Sequence, residues 1–301
     1  MEFSRQDLSD LQPKHISFVG IDSDGCIFDT MEIKQKKCFH KLIISHWGLQ
    51  PLEKYVRQTA EFINLYSKYR GTNRFPCLAM TFDLLRERPE VIASGISIPQ
   101  LPALKKFIAS GQPLGNPSLE KAVLETGDAE LAFVLKWSKA VNADIAQTVT
   151  NVPPYRWVLE SLLKIQENSD PICVTHTPSE ALIRKWQQHD LLQYVQVIAG
   201  QELGTKTEHL QLATGGRYAP ADILMIGDAP GDLAAARAIH AHFYPINPGQ
   251  EVQSWERFYH EAYAMFLAHT YGGDYEAARI ADFEKLLPEQ PPWQSNPVQS
   301  A

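Results

Sequence analysis

The sequence predicts an α/β protein: a parallel sheet flanked by helices and interrupted by an all-helical domain. Three observations carry that expectation. Short, apolar, β-prone runs recur at 16–21, 171–175, 195–198, 223–226 and 242–246. From 171 onward these runs alternate with helical stretches of about ten residues, the pattern that yields right-handed crossovers and parallel strands. Between the first and second runs, residues 31–150 carry three-and-four apolar spacing, and β-branched runs are scarce there. A chain of 301 residues and 33.9 kDa is long enough for two domains. The expected division is a discontinuous α/β core of residues 1–30 and 150–301, with a helical domain of residues 31–149.

The first run, Ile16-Ser17-Phe18-Val19-Gly20-Ile21, stops abruptly at Asp22-Ser23-Asp24-Gly25, which reads as a buried strand followed by a turn. Helices are expected at 32–47, 52–69, 76–88, 102–109, 118–125 and 129–141, separated by Gly, Pro and Asn. A further helix should run to about residue 166. After the strand at 171–175, Thr177, Pro178 and Glu180 have the spacing of an N-cap, a first helical position and a capping box. The strands at 195–198 and 223–226 should be followed by helices at 206–213 and 231–239. Beyond the last strand, helices are expected at 252–268 and 275–287. Trp255, Phe258, Tyr259, Ala262 and Phe266 form an apolar stripe that should dock on the main domain. Residues 288–301, rich in Pro, should be frayed.

Composition excludes several classes of function. Twenty-eight Lys and Arg against 35 Asp and Glu leave a net charge of −7, with a pI near 5.8. That balance argues against a general binder of nucleic acid or anionic membrane. No apolar run reaches the roughly 20 residues that span a bilayer. The opening residues show neither the basic start nor the apolar stretch of a signal peptide, so a cytoplasmic location is expected. Cys26, Cys38, Cys77 and Cys173 are too scattered for a disulfide framework, and reduced thiols are expected.

In an open parallel sheet, ligands gather beyond the carboxyl ends of the strands. Asp22 and Asp24 follow the first strand, and Thr175 ends the second. Lys206 opens the helix after the third, and Asp228 and Asp232 follow the fourth. Acids placed at the end of a buried strand are costly unless they are used. Other combinations fall short. Gly204-Thr205-Lys206-Thr207 lacks the spacing of a phosphate-binding P-loop. Cys38, His40 and His46 do not complete a metal-ligand set. His176 reads as a strand-end histidine rather than a base.

Asp22-Ser23-Asp24-Gly25-Cys26-Ile27-Phe28-Asp29-Thr30 resembles the first motif of the haloacid dehalogenase (HAD) superfamily. Thr175, Lys206 and Gly227-Asp228-Ala229-Pro230-Gly231-Asp232 resemble its second, third and fourth motifs, in order. The resemblance covers the whole α/β portion and implies a Rossmann-like core with the helical insertion as a cap. It implies a Mg²⁺-dependent phosphomonoester hydrolase acting on a small phosphorylated metabolite through an aspartyl-phosphate. Asp22 would be the nucleophile. Asp24 would protonate the leaving oxygen and then deprotonate water, helped by a pKa raised among crowded carboxylates. Thr175 and Lys206 would bind phosphate. The metal would be held by the side chains of Asp22 and Asp228 and the backbone carbonyl of Asp24, with Asp232 as an outer or secondary ligand.

Within the insertion, Tyr69-Arg70-Gly71-Thr72-Asn73-Arg74-Phe75-Pro76 forms a polar hinge between two helices. Arg70, Asn73 and Arg74 are therefore candidates for substrate selection. A phosphomutase is the nearest alternative, since it would share Asp22 and Asp24. A non-catalytic phosphate-binding protein is a more distant one. The presence of Asp24 argues against phosphonate cleavage and dehalogenation, whose branches lack that acid.

Overall fold

The computed structural model describes residues 3–295. The chain divides into two compact units, Met1–Met31 with Asn151–Leu287 and Glu32–Thr150 with Pro288–Ala301.

The first unit is built on a five-stranded, fully parallel sheet: β1 (Ser17–Ile21), β2 (Ser169–Val174), β3 (Ile198–Ala199), β4 (Ile223–Gly227) and β5 (His242–Pro245). Their spatial order is β3-β2-β1-β4-β5. The chain thus winds outward in one direction through β2 and β3, returns to the centre, and winds outward again through β4 and β5. The switch point lies between β1 and β4, where an open sheet leaves a crevice at the carboxyl ends of its strands. Every residue of β1 is buried, as a central strand covered on both faces requires.

Side-chain alternation divides the sheet between two apolar layers. Val19, Ile21, Cys173, Leu224, Ile226 and Tyr244 pack with residues of the helices Val158–Asn168 and Ser179–Gln188. The expected apolar stripe also lies in this layer: Trp255, Phe258, Ala262 and Phe266 are buried there, and Tyr259 stacks on Trp157 at 5.3 Å. A π-helical turn at Phe258–Ala262 interrupts the helix that carries the stripe. On the opposite face, Phe18, Ile172, Val174, Met225 and Phe243 pack with residues of the helices Lys206–Thr214, Pro230–Ala238 and Asp274–Lys285.

Two strands differ from the expectation. β2 begins at Ser169 rather than 171 and carries a buried acid, Asp170. The Asp170 carboxylate accepts the backbone N–H groups of Lys14 and His15, the Tyr218 hydroxyl and the Gln196 amide. A fully bonded carboxylate is tolerated where an isolated one is not. β3 is only Ile198–Ala199, although Gln196 and Val197 just before it also exchange backbone hydrogen bonds with β2, to the Pro171 carbonyl and from the Cys173 N–H, both at 2.9 Å.

The second unit is helical, with helices that include Glu53–Leu65, Arg74–Arg86, Pro102–Ala109, Asn116–Thr126 and Ala129–Thr148. A short helix at Pro89–Ser94, starting on its proline, was not anticipated, and the expected helix at 32–47 contains a π-helical turn at Lys34–Phe39. The end of the chain also departs from the sequence reading, which puts residues 288–301 in the core domain and frayed. Trp293 packs on Phe62 with ring centroids 5.7 Å apart, and the Arg88 guanidinium lies 4.3 Å from its ring. A tryptophan ring buries enough area to hold a short segment in place. Residues 296–301 lie outside the described residues. No helix among the described residues is long and apolar enough to cross a membrane, and all four cysteines are free and buried.

Two buried histidines give the fold a pH dependence. Burial pushes His209 down to about 4, and burial with Arg57 and Lys36 pushes His40 down to about 3. Both are neutral when folded, whereas the unfolded chain takes up protons near pH 6.5. Their stabilising contribution is therefore complete above about pH 6.5 and is lost as pH falls toward the folded values. For His209 the full loss is on the order of 3 kcal/mol. Urea unfolding between pH 7.5 and 5 is expected to show a falling midpoint, with a shallower fall in His209→Gln.

Candidate active site

At the carboxyl ends of β1 and β4, beside the switch point, Asp22, Asp228 and Asp232 come together with Lys206. Asp22 directly follows β1, and its N–H donates to the Ile226 carbonyl at 2.9 Å, tying it to the neighbouring β4. The chain then turns sharply. Gly25 adopts φ 89°, in the left-handed region that favours glycine, and the Ile27 and Phe28 N–H groups donate to the Ser23 carbonyl at 2.8 and 3.2 Å. Two buried indoles hold this loop. Trp186 donates to Ser23 Oγ at 3.0 Å, and Trp255 donates to the Cys26 carbonyl at 2.8 Å.

At the end of β4, Asp228 precedes the helix Pro230–Ala238, which begins on its proline. Asp232 lies in the first turn, where an acid is favoured by the free N–H groups. Its Oδ2 accepts the N–H of Asp228 at 3.2 Å and of Ala229 at 3.0 Å. Gly227 makes this closeness possible: a Cβ at that position would lie 2.4 Å from Asp232 Cβ and Cγ. Gly227→Ala is therefore expected to cost about 1–3 kcal/mol through overpacking. It should also weaken divalent-cation binding, which is read by calorimetric titration beside thermal unfolding.

Lys206 is the first residue of its helix, and a reciprocal cap fixes that start. Thr205 Oγ1 accepts the Glu208 N–H at 3.2 Å, while the Glu208 carboxylate accepts the Thr205 N–H at 2.8 Å. From this position Lys206 Nζ reaches Asp22 Oδ1 at 2.9 Å and Asp232 Oδ1 at 2.5 Å. Burial works against its charge, but Asp22 and Asp232 hold its pKa well above the usual lysine range. Burial pushes Asp232 up to about 6 against the pull of Lys206, and Asp22 adds to the rise.

Asp22, Asp228 and Asp232 are 5%, 1% and 0% exposed, and each offers a carboxylate oxygen within 4.8 Å of the others. Three mutually close, buried carboxylates, two of them paired with one ammonium, form a hard oxygen donor set, the kind that suits Mg²⁺. Asp22 and Asp228 fit as direct ligands. Asp232 fits better outside the first shell, because both of its oxygens already receive protein donors.

Asp24 departs from the expectation. Its carboxylate is not among the crowded acids but is held by hydroxyls and an ammonium. Lys185 Nζ lies 2.7 Å from Oδ1, Thr177 Oγ1 donates to Oδ2 at 2.6 Å, and the Thr30 hydroxyl donates to Oδ1. The side chain of Asp24 thus stands apart from the donor set. Thr177 differs as well. The helix begins at Ser179 after Pro178, Thr177 makes no cap, and its hydroxyl goes to Asp24 instead. Thr175, 2% exposed, directly follows β2, the strand beside β1, and its Oγ1 accepts the Thr177 N–H at 3.2 Å. No sequence pattern marks Lys185 or Thr30 as partners of Asp24, because those pairings depend on how the helix and loop pack.

Arg70, Asn73 and Arg74 lie in the helical unit, and each makes hydrogen bonds within it. Arg70, 3% exposed, donates to the Leu65 carbonyl at 2.9 Å. Asn73 caps the helix Arg74–Arg86 through the Phe75 N–H and donates to the Leu114 carbonyl at 2.7 Å. Arg74 donates to Ser138 and to Asn142 Oδ1, and burial lowers its pKa to about 10.

No family model matches the chain, and no curated protein matches it. Among solved structures, the chain is similar to a Bacteroides fragilis protein provisionally described as a haloacid dehalogenase-like hydrolase. Identity is 16%, coverage 80% of this chain and 93% of that one, and the TM-score 0.47. It is also similar to a Lactobacillus delbrueckii protein provisionally described as a phosphoglycolate phosphatase, at 13% identity, 82% and 92% coverage and a TM-score of 0.48. A haloacid dehalogenase-like family hydrolase from Xanthomonas campestris matches at 13% identity, 90% and 93% coverage and a TM-score of 0.43. At these values the likeness says nothing of this chain's chemistry.

Proposed function

We propose that the protein is a phosphomonoester hydrolase of the haloacid dehalogenase superfamily, acting on a small phosphorylated metabolite with Mg²⁺. The observation that carries this reading is the buried trio Asp22, Asp228 and Asp232 at the sheet's switch point, two of whose members, Asp22 and Asp232, pair with Lys206.

The Asp22 carboxylate attacks phosphorus, so that an O–P bond forms on Asp22 while the ester P–O bond breaks. For this step the Asp24 carboxyl takes up a proton from solvent as the substrate binds, and gives it to the departing oxygen. It then takes one from the water that hydrolyses the aspartyl-phosphate, which returns both acids to their states in the substrate complex. Lys206 offsets negative charge beside Asp22, and Thr175 offers a hydroxyl to a phosphoryl oxygen at the adjacent strand end. Mg²⁺ held by Asp22 and Asp228 would neutralise the repulsion between the attacking carboxylate and the phosphate dianion.

The test is phosphate release from a panel of sugar phosphates, nucleotides and small phosphorylated acids, with Mg²⁺ and with chelator. Release that requires the metal supports the reading and ranks the substrates. Failure to release phosphate from any ester, with Mg²⁺ bound, would overturn it.

A further inference from the structure

We propose that Lys185 is a positioning residue that acts through Asp24, fixing the acid that serves the leaving group. The inference rests on the phosphohydrolase reading above and adds to it a residue outside the motifs.

Asp24 immediately precedes the turn that begins at Gly25 and lies outside any strand or helix, with a single isolated bridge to Phe28. Its orientation is set by three side chains from three different segments. Thr30 stands at the start of a helix, Thr177 in the loop after β2, and Lys185 in the middle of the helix Ser179–Gln188. Lys185 and Thr30 bond one oxygen and Thr177 the other, so rotation of the carboxylate breaks bonds on both sides. The Lys185 side chain is only 17% exposed and that of Asp24 13%, so this ion pair is less screened than a surface pair.

The lysine is itself held in place. Its Nζ lies 5.3 Å from the centre of the Phe28 ring, within the Ser23–Phe28 turn, and the next residue, Trp186, is fully buried and bonded to Ser23. One helix therefore anchors the loop through Trp186 and the acid through Lys185. The Thr177 N–H bonded to Thr175 Oγ1 links the same clamp to the end of β2. A general acid must be placed within hydrogen-bond reach of the oxygen it protonates, and small misplacements are costly.

The experiment compares wild type, Lys185→Met, Lys185→Arg and Thr177→Val on two esters: p-nitrophenyl phosphate, whose leaving group needs little protonation, and the alkyl phosphate that wild type turns over fastest. Lys185→Met is expected to lower kcat on the alkyl ester by about tenfold or more, with a much smaller loss on the aryl ester and little change in KM. Lys185→Arg should restore most of the loss. Thr177→Val should show the same selectivity, which keeps the test decisive if Lys185→Met folds poorly. In an Asp24→Asn background, Lys185→Met should add nothing. Equal losses on both esters, or a further loss in that background, would overturn the positioning role while leaving the hydrolase intact. A wild-type enzyme that releases no phosphate overturns both readings.

Discussion

Asp22→Asn is expected to lower phosphate release on the order of 10³-fold or more while leaving the protein folded. The amide keeps the size of the side chain and removes the charge and nucleophilic oxygen on which the proposed first step depends. The electrostatics of the site predict a second effect. Asp22 helps to raise the pKa of Asp232 and is buried beside it, so removing its charge relieves repulsion within the trio. It also removes one of the two carboxylates paired with Lys206, although Asp232 remains at 2.5 Å. The variant should therefore unfold within about 1 kcal/mol of wild type without divalent cation, and should gain less than wild type when Mg²⁺ is added. Phosphate release beside thermal melts, with and without Mg²⁺, separates the two effects. Retained turnover would remove Asp22 from the nucleophile's role, whatever the melts show.

Much of the site was legible in the sequence because its residues are tied to backbone features. Asp22 and Asp228 follow buried strands, Lys206 opens a capped helix, and Asp232 lies one turn beyond Asp228. Each place is fixed by short-range pattern, and the parallel sheet brings the strand ends together. The surroundings of Asp24 were not legible, since Lys185 is 161 residues away and reaches it through tertiary packing. Thr177 shows how a local signal loses to a tertiary one. Its spacing fits a helix cap, yet its hydroxyl bonds Asp24, while Glu202 accepts the Ser179 N–H at the start of that helix. The partners of Arg74 were equally hidden. Its guanidinium bonds Ser138 and Asn142, residues 64 and 68 positions away, which only the packing of the helices brings within reach. The early start of β2 was hidden by Asp170, an acid whose burial depends on four donors, three of them more than 40 residues away.

Lys206→Met should be the most damaging single change to the stability of the site. Methionine matches the length of the lysine stem but leaves three buried carboxylates without the ammonium that pairs with two of them. Removing one partner from a buried ion pair costs roughly 3–5 kcal/mol, because the remaining charge stays desolvated. The pH dependence follows from Asp232. An acid whose pKa is raised in the folded state binds its proton more tightly there than in the unfolded chain. Its folded state is therefore favoured at low pH and penalised as pH rises through the folded value, about 6 in wild type. Lys206 pulls that value down, so its loss moves the value higher and extends the penalty further toward neutral pH. The stability difference between wild type and Lys206→Met should be largest above the variant's raised Asp232 value and shrink as pH falls from there toward about 6, as the proton takes over part of the ammonium's role. Mg²⁺ should also narrow the difference at neutral pH by supplying positive charge to the carboxylates. Thermal melts across pH 5–8, with and without Mg²⁺, provide the check. A deficit that neither protonation nor Mg²⁺ reduces would mean that Lys206 supports the site through packing rather than charge.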